Sequence, residues 1–267
     1  MPAYTLANNP LALLGRFTIF LVQELGRAGI FFFRGFFLIF SLPVQLGKIL
    51  QQVYFIGMKS MLVICLTGAF TGMVLGLQGY YTLTKFGAEG FLGSAVALSL
   101  IRELGPVLTA IMIVARAGSA MAAEIGIMRI SEQIDALETM DINPIRFLFS
   151  PRLAAALISF PLLTAVFDVI GIFGGFLSGS LLLNVSQGIY FSRVESSVLM
   201  QDINGGFIKA IVFGAVVVTI CCYQGYMTHT RKDGFGARGV SQATTSAVVI
   251  SCVLVLIVDY VLTSFLL

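Results

Sequence analysis

The sequence predicts an all-α integral membrane protein, built from an N-terminal interfacial helix and five transmembrane helices. Hydrophobic residues make up 58% of the 267 residues, and charged residues only 11%. The mean hydropathy is +0.97. Five apolar runs are each long enough to cross a bilayer, which takes about 20 residues. A soluble domain of this length needs much more polar surface, so the composition excludes that class.

The composition also excludes several kinds of site. The net charge of +3 is small and the charges are scattered, which is not the pattern of a protein that binds nucleic acid. His229 is the only histidine, and the four cysteines lie in apolar runs, at Cys65, Cys221, Cys222 and Cys252. This pattern predicts cysteines that fill core positions, with no disulfide framework and no metal site.

Residues 10–50 are apolar but interrupted by charges. Arg16, Arg27 and Arg34 are spaced by eleven and seven residues, so they share one face of a helix. That spacing favours a helix that lies in the cytoplasmic interface of the membrane, with its arginines toward the lipid headgroups. The alternative is a sixth span whose charges are paired.

Five spans are predicted after this region, at about 61–82, 90–126, 153–180, 206–228 and 241–264. As a helix, the second would extend about 55 Å, against a hydrocarbon core of about 30 Å. It also contains Arg102, Glu103, Pro106 and Arg116, so we predict one long helix that is tilted or broken. Residues 228–239 are predicted as a polar turn. The whole chain, 1–267, is expected to form one domain.

The basic residues predict the orientation. With five spans and a cytoplasmic N-terminus, four basic residues lie in the outer half or outside, at Lys85, Arg102, Arg193 and Lys209. The other twelve lie inside, at Arg16, Arg27, Arg34, Lys48, Lys59, Arg116, Arg129, Arg146, Arg152, Arg231, Lys232 and Arg238. Cytoplasmic loops carry such an excess of lysine and arginine. The C-terminus is therefore expected on the outer side, and the segment 130–142 in the cytoplasm.

Two spans carry glycine at every fourth position. The glycines are Gly68, Gly72 and Gly76 in the first span, and Gly171, Gly175 and Gly179 in the third. Ridges of small residues let two membrane helices approach closely. The sequence leaves open whether each ridge packs within one chain or between two copies.

Five ionisable residues fall near the midplane or in the outer half of the predicted spans, at Arg102, Glu103, Asp168, Lys209 and Asp259. Such groups are costly inside a bilayer and usually mark functional sites. Pro106 follows within a turn and frees a backbone carbonyl, as in the interrupted helices of transporters. We predict a polar site that is open to the outside. The alternative is structural ion pairs, Arg102 with Glu103 or Lys209 with Asp259.

The segment 130–142 lies in an acidic part of the chain. Five of the thirteen acidic residues fall within 116–144, at Glu124, Glu132, Asp135, Glu138 and Asp141. Ile130, Ile134 and Leu137 recur at helical spacing, which predicts a short amphipathic helix that Ser131 caps and Asn143-Pro144 ends. Such a helix either lies on its own protein's surface or binds in a partner's groove. Anionic lipid headgroups would repel the acidic side chains of this helix, so a role at the membrane surface is disfavoured.

Motifs for nucleotide hydrolysis are absent from the sequence. GMKS at 57–60 has the lysine of a G-x-x-x-x-G-K-[ST] loop without its glycine frame. Neither H-E-x-x-H nor G-x-S-x-G occurs. We therefore expect no catalytic centre and no cofactor in this chain, so energy for any active transport has to come from another protein.

Three stretches resemble the MlaE/YrbE permease family: GMVLGLQGY (72–80), ALSLIRELGPVLTAIMIVARAGSAMAAEIGIMRISEQIDALETMDINPIRFLFSPR (97–152) and GVSQATT (239–245). The similarity covers nearly the whole chain after about residue 50. It implies the membrane subunit of an ABC transporter that moves phospholipid between the inner and outer membranes of Gram-negative bacteria and maintains outer-membrane lipid asymmetry. The implied location is the inner membrane, with a cytoplasmic N-terminus and a periplasmic C-terminus.

The same resemblance implies partners. Two copies of the chain pair, and each binds a separate MlaF-like ATPase, which holds the ATP and Mg. The contact is a coupling helix at 130–142, with Glu132, Ile134, Asp135, Leu137 and Glu138. A STAS-domain protein (MlaB-like) binds the ATPase, and a hexameric MCE-domain protein (MlaD-like) lies on the periplasmic side.

An outward-open lipid cavity between the two copies is also implied. Its lining comes largely from the first span and its outer end, at Leu75, Gln78, Tyr80, Leu83 and Phe86. Polar positions of the family near the cavity match Arg102, Glu103, Lys209 and Asp259. In this hypothesis the acyl chains occupy the apolar groove, and Arg102 or Lys209 meets the phosphate.

Two other classes of function remain open. A proton-driven secondary transporter would use Glu103, Asp168 and Asp259 as a relay and would depend on a membrane potential or pH gradient instead of ATP. A membrane scaffold would use the acidic loop only to recruit a partner, and its intramembrane charges would be dispensable. An intramembrane enzyme is disfavoured because the catalytic motifs are absent.

Overall fold

The computed structural model describes residues 10–39, 45–230 and 236–266. These form eight helices and one separate 3₁₀ turn at Thr228–Thr230, without a strand in the described ranges. The helices are α1 (Pro10–Ile39), α2 (Leu46–Thr84), α3 (Glu89–Ile130), α4 (Gln133–Thr139), α5 (Ile145–Leu182), α6 (Gln187–Ser197), α7 (Met200–Tyr226) and α8 (Gly236–Leu266). The predicted all-α class is confirmed.

Five of these helices, namely α2, α3, α5, α7 and α8, are long and apolar enough to cross a membrane. Each overlaps one predicted span, and four of them extend beyond it at both ends, because a helix continues past the hydrocarbon core wherever its backbone bonds are made. Helix α7 begins before its predicted span of 206–228 and ends at Tyr226, two residues short of it. The chain is therefore a multi-pass membrane protein. Residues 40–44 of the predicted N-terminal region lie outside the described residues, and so do 231–235 of the predicted polar turn, with Arg231 and Lys232.

Helix α7 lies at the centre of the bundle. It packs against α3, α5 and α8, and its C-terminal end contacts α1. Phe213, Val217, Cys221 and Cys222 on α7 are fully buried. The buried cysteines are free thiols, as the sequence predicts. A helix that is apolar all round belongs in the middle of a membrane protein, and α7 occupies that position.

Helices α2 and α5 pack through the two glycine ridges. A Cβ atom added to Gly72 would overlap the carbonyl of Gly171, and one added to Gly76 would overlap the Ser178 hydroxyl. One added to Gly68 would lie 3.0 Å from the Phe167 carbonyl oxygen. The ridges therefore face each other within one chain, which decides the alternative that the sequence left open. The backbones approach closely enough for dispersion contacts to replace side-chain packing.

Several spans contain π-helical turns, which leave backbone groups without their usual partners. The predicted irregularity of α3 takes this form, with π turns at Leu100–Leu104 and Val114–Gly118 in a continuous helix. Arg116, in the second turn, donates hydrogen bonds to the Phe55 carbonyl and, at 3.2 Å, to Ser60 Oγ. Phe55 itself lies in a π turn of α2. One arginine thus joins the irregular turns of two spans.

Helix α1 packs across the ends of α5 and α7. The Tyr223 hydroxyl donates a 2.8 Å hydrogen bond to Glu24, and the Ser150 hydroxyl donates one of 2.9 Å to the Gly35 carbonyl. The ring centroids of Phe31 and Phe149 lie 4.6 Å apart. These contacts are all at helix ends that the basic residues place in the cytoplasm. An interfacial position for α1 stays a prediction that this arrangement supports.

We expect Gly72→Ala to destabilise the protein, because the added methyl group meets backbone and no flexible side chain can make room. Overpacking of this kind costs about 1–3 kcal/mol. Thermal unfolding of the purified protein in detergent measures the effect. Gly47→Ala is the matched control, since nothing lies within 4 Å of its added Cβ. Equal unfolding temperatures for the two variants would contradict the close packing of α2 on α5.

Candidate functional site

A buried lysine organises the half of the bundle that the basic residues predict to face outward. The side chain of Lys209 on α7 is only 3% exposed. Its ammonium donates hydrogen bonds to Glu103 Oε2 at 2.7 Å and to the Thr263 hydroxyl at 2.7 Å. Asp259 Oδ1 lies 3.1 Å away. A buried cation is tolerated when it is paired and its hydrogen bonds are satisfied, and this one connects α7 to α3 and α8.

The third hydrogen bond of Lys209 explains the proline in α3. The ammonium donates to the Arg102 carbonyl at 2.9 Å. Pro106 has no N–H, so the helix cannot satisfy the carbonyl four residues before it. In water a solvent molecule would bond there, but a bilayer offers none. Lys209 therefore supplies the missing donor, and all three of its N–H groups are used.

Arg102 pairs with a residue that sequence reasoning missed. Its Nε lies 2.7 Å from Asp202 Oδ1 on α7. Of the two ion pairs considered as the alternative to a polar site, Arg102 with Glu103 is not formed, because adjacent residues on a helix do not face each other. The other, Lys209 with Asp259, is present. Asp202 also accepts a 3.0 Å hydrogen bond from the Leu199 N–H and so caps α7. An acidic residue three positions after a helix boundary is typical of such a cap, and this is the sequence feature from which the role of Asp202 could have been predicted.

The polar cluster borders a cavity of about 260 Å³. Its walls include Arg102, Glu103, Asp202, Lys209 and Thr263, together with apolar Leu199 and Leu266. The side chains of Arg102 and Glu103 are 41% and 40% exposed, so the cavity offers both a cation and an anion to a ligand. This arrangement can hold a zwitterionic or phosphate-bearing group.

The five positions predicted to line a lipid cavity, four in α2 and Phe86 just after it, lie apart from this cavity. Gln78 and Phe86 are exposed, whereas Leu75, Tyr80 and Leu83 are half-buried against the core. The lining of the cavity includes residues of α3, α7 and α8 and none of these five. The structure thus brings together Arg102, Glu103, Lys209 and Asp259, and leaves a site shared with α2 as a prediction.

Asp168 is separate from the cluster as well. It lies on α5 against Gly105, where an added Cβ would overlap its Oδ1. The cavity that it lines includes Thr164, Ile172 and Ile203 and is distinct from that of Lys209. The predicted site therefore holds four of its five intramembrane charges, because the side chain of Asp168 leaves α5 on another face of the bundle.

The predicted coupling helix is α4, at Gln133–Thr139. Ile134 is fully buried in its own chain, so it anchors α4 on the bundle and is not available to a partner. Leu137 is half-buried, and Glu132, Asp135 and Glu138 are exposed. The solvent-exposed face of α4 is acidic. It is bordered by an apolar margin, formed by Leu137 and by Met140, which is 68% exposed.

Tight turns define both ends of α4. Glu132 and Asp141 both adopt a positive φ of 58°, which is costly for residues with a side chain. The Ile142 N–H donates to the Leu137 carbonyl at 2.9 Å, and the Asp141 N–H donates to that of Glu138 at 3.1 Å, in the pattern of a Schellman motif. Ser131 does not cap the helix as predicted, because its hydroxyl bonds back to the Ile127 carbonyl.

Arg129 fixes α4 to the end of α3. Its guanidinium bonds to Asp135 Oδ1 at 2.6 Å and to His229 Nδ1 at 3.0 Å, and it lies 5.3 Å from the Tyr226 ring centroid. The Tyr226 hydroxyl lies 3.4 Å from Glu138. Two of the acidic residues are thus held by α3 and α7, so α4 is attached to the bundle at both of these helices.

The family model described as permease MlaE matches residues 49–265. The chain belongs to the MlaE permease family. It is therefore a membrane subunit of a transporter and not an enzyme in its own right, and the resemblance seen in the sequence is confirmed.

Relatives from three kinds of organism match most of the chain. The intermembrane phospholipid transport system permease protein MlaE of Haemophilus influenzae is 42% identical over 257 residues, 96% of this chain and 97% of that protein. A probable ABC transporter permease protein of Rickettsia typhi is 41% identical over 254 residues, 95% and 96% of the two chains. The chloroplastic protein TRIGALACTOSYLDIACYLGLYCEROL 1 of Arabidopsis thaliana is 38% identical over 229 residues, 84% of this chain and 64% of that protein.

In this MlaE-family chain we expect Lys209→Met to be strongly destabilising. It leaves Glu103 and Asp259 without their cation and the Arg102 carbonyl without its donor. Removing one partner from a buried pair costs about 3–5 kcal/mol. The loss is measured by thermal unfolding in lipid nanodiscs, with Lys85→Met, an exposed lysine at the end of α2, as the control. A Lys209→Met protein as stable as this control would show that the cluster does not hold the helices together.

Proposed function

We propose that this chain is the permease subunit of an ABC transporter that moves phospholipids between the inner and outer membranes and maintains outer-membrane lipid asymmetry. It lies in the inner membrane of a Gram-negative bacterium, works as a homodimer, and draws its energy from a separate ATPase. The observation that carries this proposal is the nearly full-length match to the Haemophilus influenzae permease named for intermembrane phospholipid transport.

The ATPase contact in this proposal is the exposed face of α4. Its carboxylates Glu132, Asp135 and Glu138 and its apolar margin at Leu137 suit an amphipathic groove with basic edges. Ile134 has a different role: it fixes α4 to the bundle, so a push on the exposed face reaches α3 and α7. The partner ATPase supplies the ATP and Mg. A STAS-domain protein on the ATPase and a hexameric MCE-domain protein on the periplasmic side complete the assembly.

The lipid path in this proposal uses two surfaces. The exposed outer end of α2, with Gln78 and Phe86, faces the second copy and accommodates acyl chains, and Leu75, Tyr80 and Leu83 support it from behind. The cavity beside Lys209 receives the headgroup. The Arg102 guanidinium suits the phosphate because its fork donates two parallel hydrogen bonds. Glu103 and Asp259 keep Lys209 in place.

A proton-driven transporter is the weaker reading of the same charges. Glu103 and Asp259 both lie within ion-pair distance of the Lys209 ammonium, whereas Asp168 lines a different cavity, so the three carboxylates do not form one relay. Relatives named as ABC transporter permeases also favour coupling to ATP. The scaffold alternative is also disfavoured. A segment that only recruits a partner does not need to be attached to the bundle, whereas Arg129 and Ile134 attach α4 to it.

Leu137→Glu is expected to release or uncouple the ATPase, because it places a charge in the apolar margin of the contact. We expect a loss of roughly tenfold or more in lipid-stimulated ATP hydrolysis, as for a central interface residue. The measurement uses tagged protein co-expressed with its genomic neighbours and reconstituted in lipid. Ser196→Glu is the control, since it adds the same charge to exposed α6 at the opposite end of the bundle. If both variants retain the ATPase activity, α4 is not the coupling element.

A photo-crosslinking amino acid in place of Gln78 is expected to capture phospholipid in the assembled complex, because Gln78 faces the cavity between the two copies. The same group in place of Phe173, which is 58% exposed on α5, captures only lipid from the surrounding bilayer. When the complex is delipidated in detergent before irradiation, the Gln78 adduct should still form and the Phe173 adduct should not. Equal loss of both adducts would argue against a lipid cavity at the outer end of α2.

A further inference from the structure

A second cavity, of about 160 Å³, lies between α5 and α7 on the side away from Lys209. Its walls are almost entirely apolar, with Ile101, Ile172 and Ile203 among them. Val169 and Phe207 border it and are 56% and 37% exposed, so the cavity opens sideways, on the lateral surface of the bundle. We name it the lateral pocket.

Two polar side chains line the lateral pocket, Thr164 and Asp168. They stand four residues apart on α5 and therefore share one face. Thr164 is only 3% exposed, and neither its Oγ1 nor Asp168 Oδ1 has a hydrogen-bond partner within the described part of the chain. Buried polar atoms are nearly always satisfied. These two atoms are closed off behind the pocket wall, with Asp168 Oδ1 against Gly105, so both would gain from a hydrogen-bond donor that enters the lateral pocket.

A backbone wall separates the lateral pocket from the cavity at Lys209. Gly206 lines both of them. A Cβ atom added there would lie 2.6 Å from the Ile101 carbonyl oxygen, so α3 and α7 touch at this level. None of the ion pairs among the described residues includes Asp168. The ammonium of Lys209 is therefore not the partner of this carboxylate.

The depth of the lateral pocket points to a ligand from the outer leaflet. Asp168 follows Arg152 by sixteen residues of continuous helix, or about 24 Å along the axis. Arg152 lies at the cytoplasmic end of α5, where it pairs with Glu124. In a hydrocarbon core of about 30 Å, this puts Asp168 close to the outer edge, within reach of a headgroup that folds inward.

We propose that the lateral pocket binds a phospholipid whose headgroup carries a primary ammonium. The ammonium donates to the Asp168 carboxylate and the Thr164 hydroxyl, which accept, and its charge neutralises the acid. Apolar walls at Ile101 and Ile172 contact the carbon atoms beside it. The proposal does not depend on the transport function, because it concerns binding at equilibrium without nucleotide.

The absence of tryptophan from the chain provides a direct test. Phe207→Trp places a single fluorophore at the border of the lateral pocket in the full chain, reconstituted in vesicles. Phospholipids with brominated acyl chains quench tryptophan on contact. Ethanolamine and choline headgroups are compared at equal mole fraction, since both carry a positive charge and only the first has N–H donors. We expect roughly tenfold tighter apparent binding of the ethanolamine lipid, the value of one charge-assisted hydrogen bond.

Two variants and one reporter complete the test. Asp168→Asn in the Phe207→Trp background should abolish the preference for ethanolamine. Thr164→Val, which keeps the shape of the side chain, should reduce it and serves in place of the first variant if that one fails to fold. Phe173→Trp, on another exposed part of α5, should show no preference. Equal quenching by the two lipids, or a preference that survives both Asp168→Asn and Thr164→Val, would overturn the proposal, whatever the transport assays show.

Discussion

The outer half of the bundle depends on the hydrogen bonds of one ammonium group. Lys209 satisfies the carbonyl that Pro106 opens in α3, and the charges of Glu103 and Asp259 make its burial possible. The Lys209 side chain is only 3% exposed, so water does not replace its hydrogen bonds, and the proline, the lysine and the two acids form a single unit. The close approach of α2 to α5 through glycine adds packing around this unit but does not replace it.

Helix α3 connects this unit to the cytoplasmic surface. It carries Glu103 about a third of the way along and Arg129 at its C-terminal end, with about 40 Å of helix between them. Arg129 and the buried Ile134 attach α4 to the same helix end. A displacement of α4 by a partner therefore acts on the element that carries the outer polar cluster. The π turns at Leu100–Leu104 and Val114–Gly118 are the points where α3 can bend, because their hydrogen bonds are already irregular.

Much of this arrangement could be predicted from the sequence. The number of spans follows from the apolar runs, and the pair of Lys209 with Asp259 follows from their similar depth. The pairing of Arg102 with Asp202 could not be predicted, because it depends on which faces of α3 and α7 are turned toward each other. In the sequence, Asp202 looks only like an ordinary residue of a helix N-terminus. The burial of Ile134 within its own chain could not be predicted either. An amphipathic pattern indicates that one face of a helix is buried, but not whether it packs against the same chain or against a partner.

Lys209 and Asp168 differ in whether the protein itself satisfies their hydrogen bonds, and this difference separates a structural charge from a candidate binding group. Both are buried at a similar level of the bundle, on opposite sides of the contact between Ile101 and Gly206. Every donor of Lys209 has an acceptor from the protein, so a ligand can only reach the cluster through its exposed members, Arg102 and Glu103. Asp168 Oδ1 and Thr164 Oγ1 have no such partners among the described residues. Since leaving a buried polar atom unsatisfied costs about 1–3 kcal/mol, the unpaired acid, and not the ion-paired lysine, is the group that gains most from a ligand.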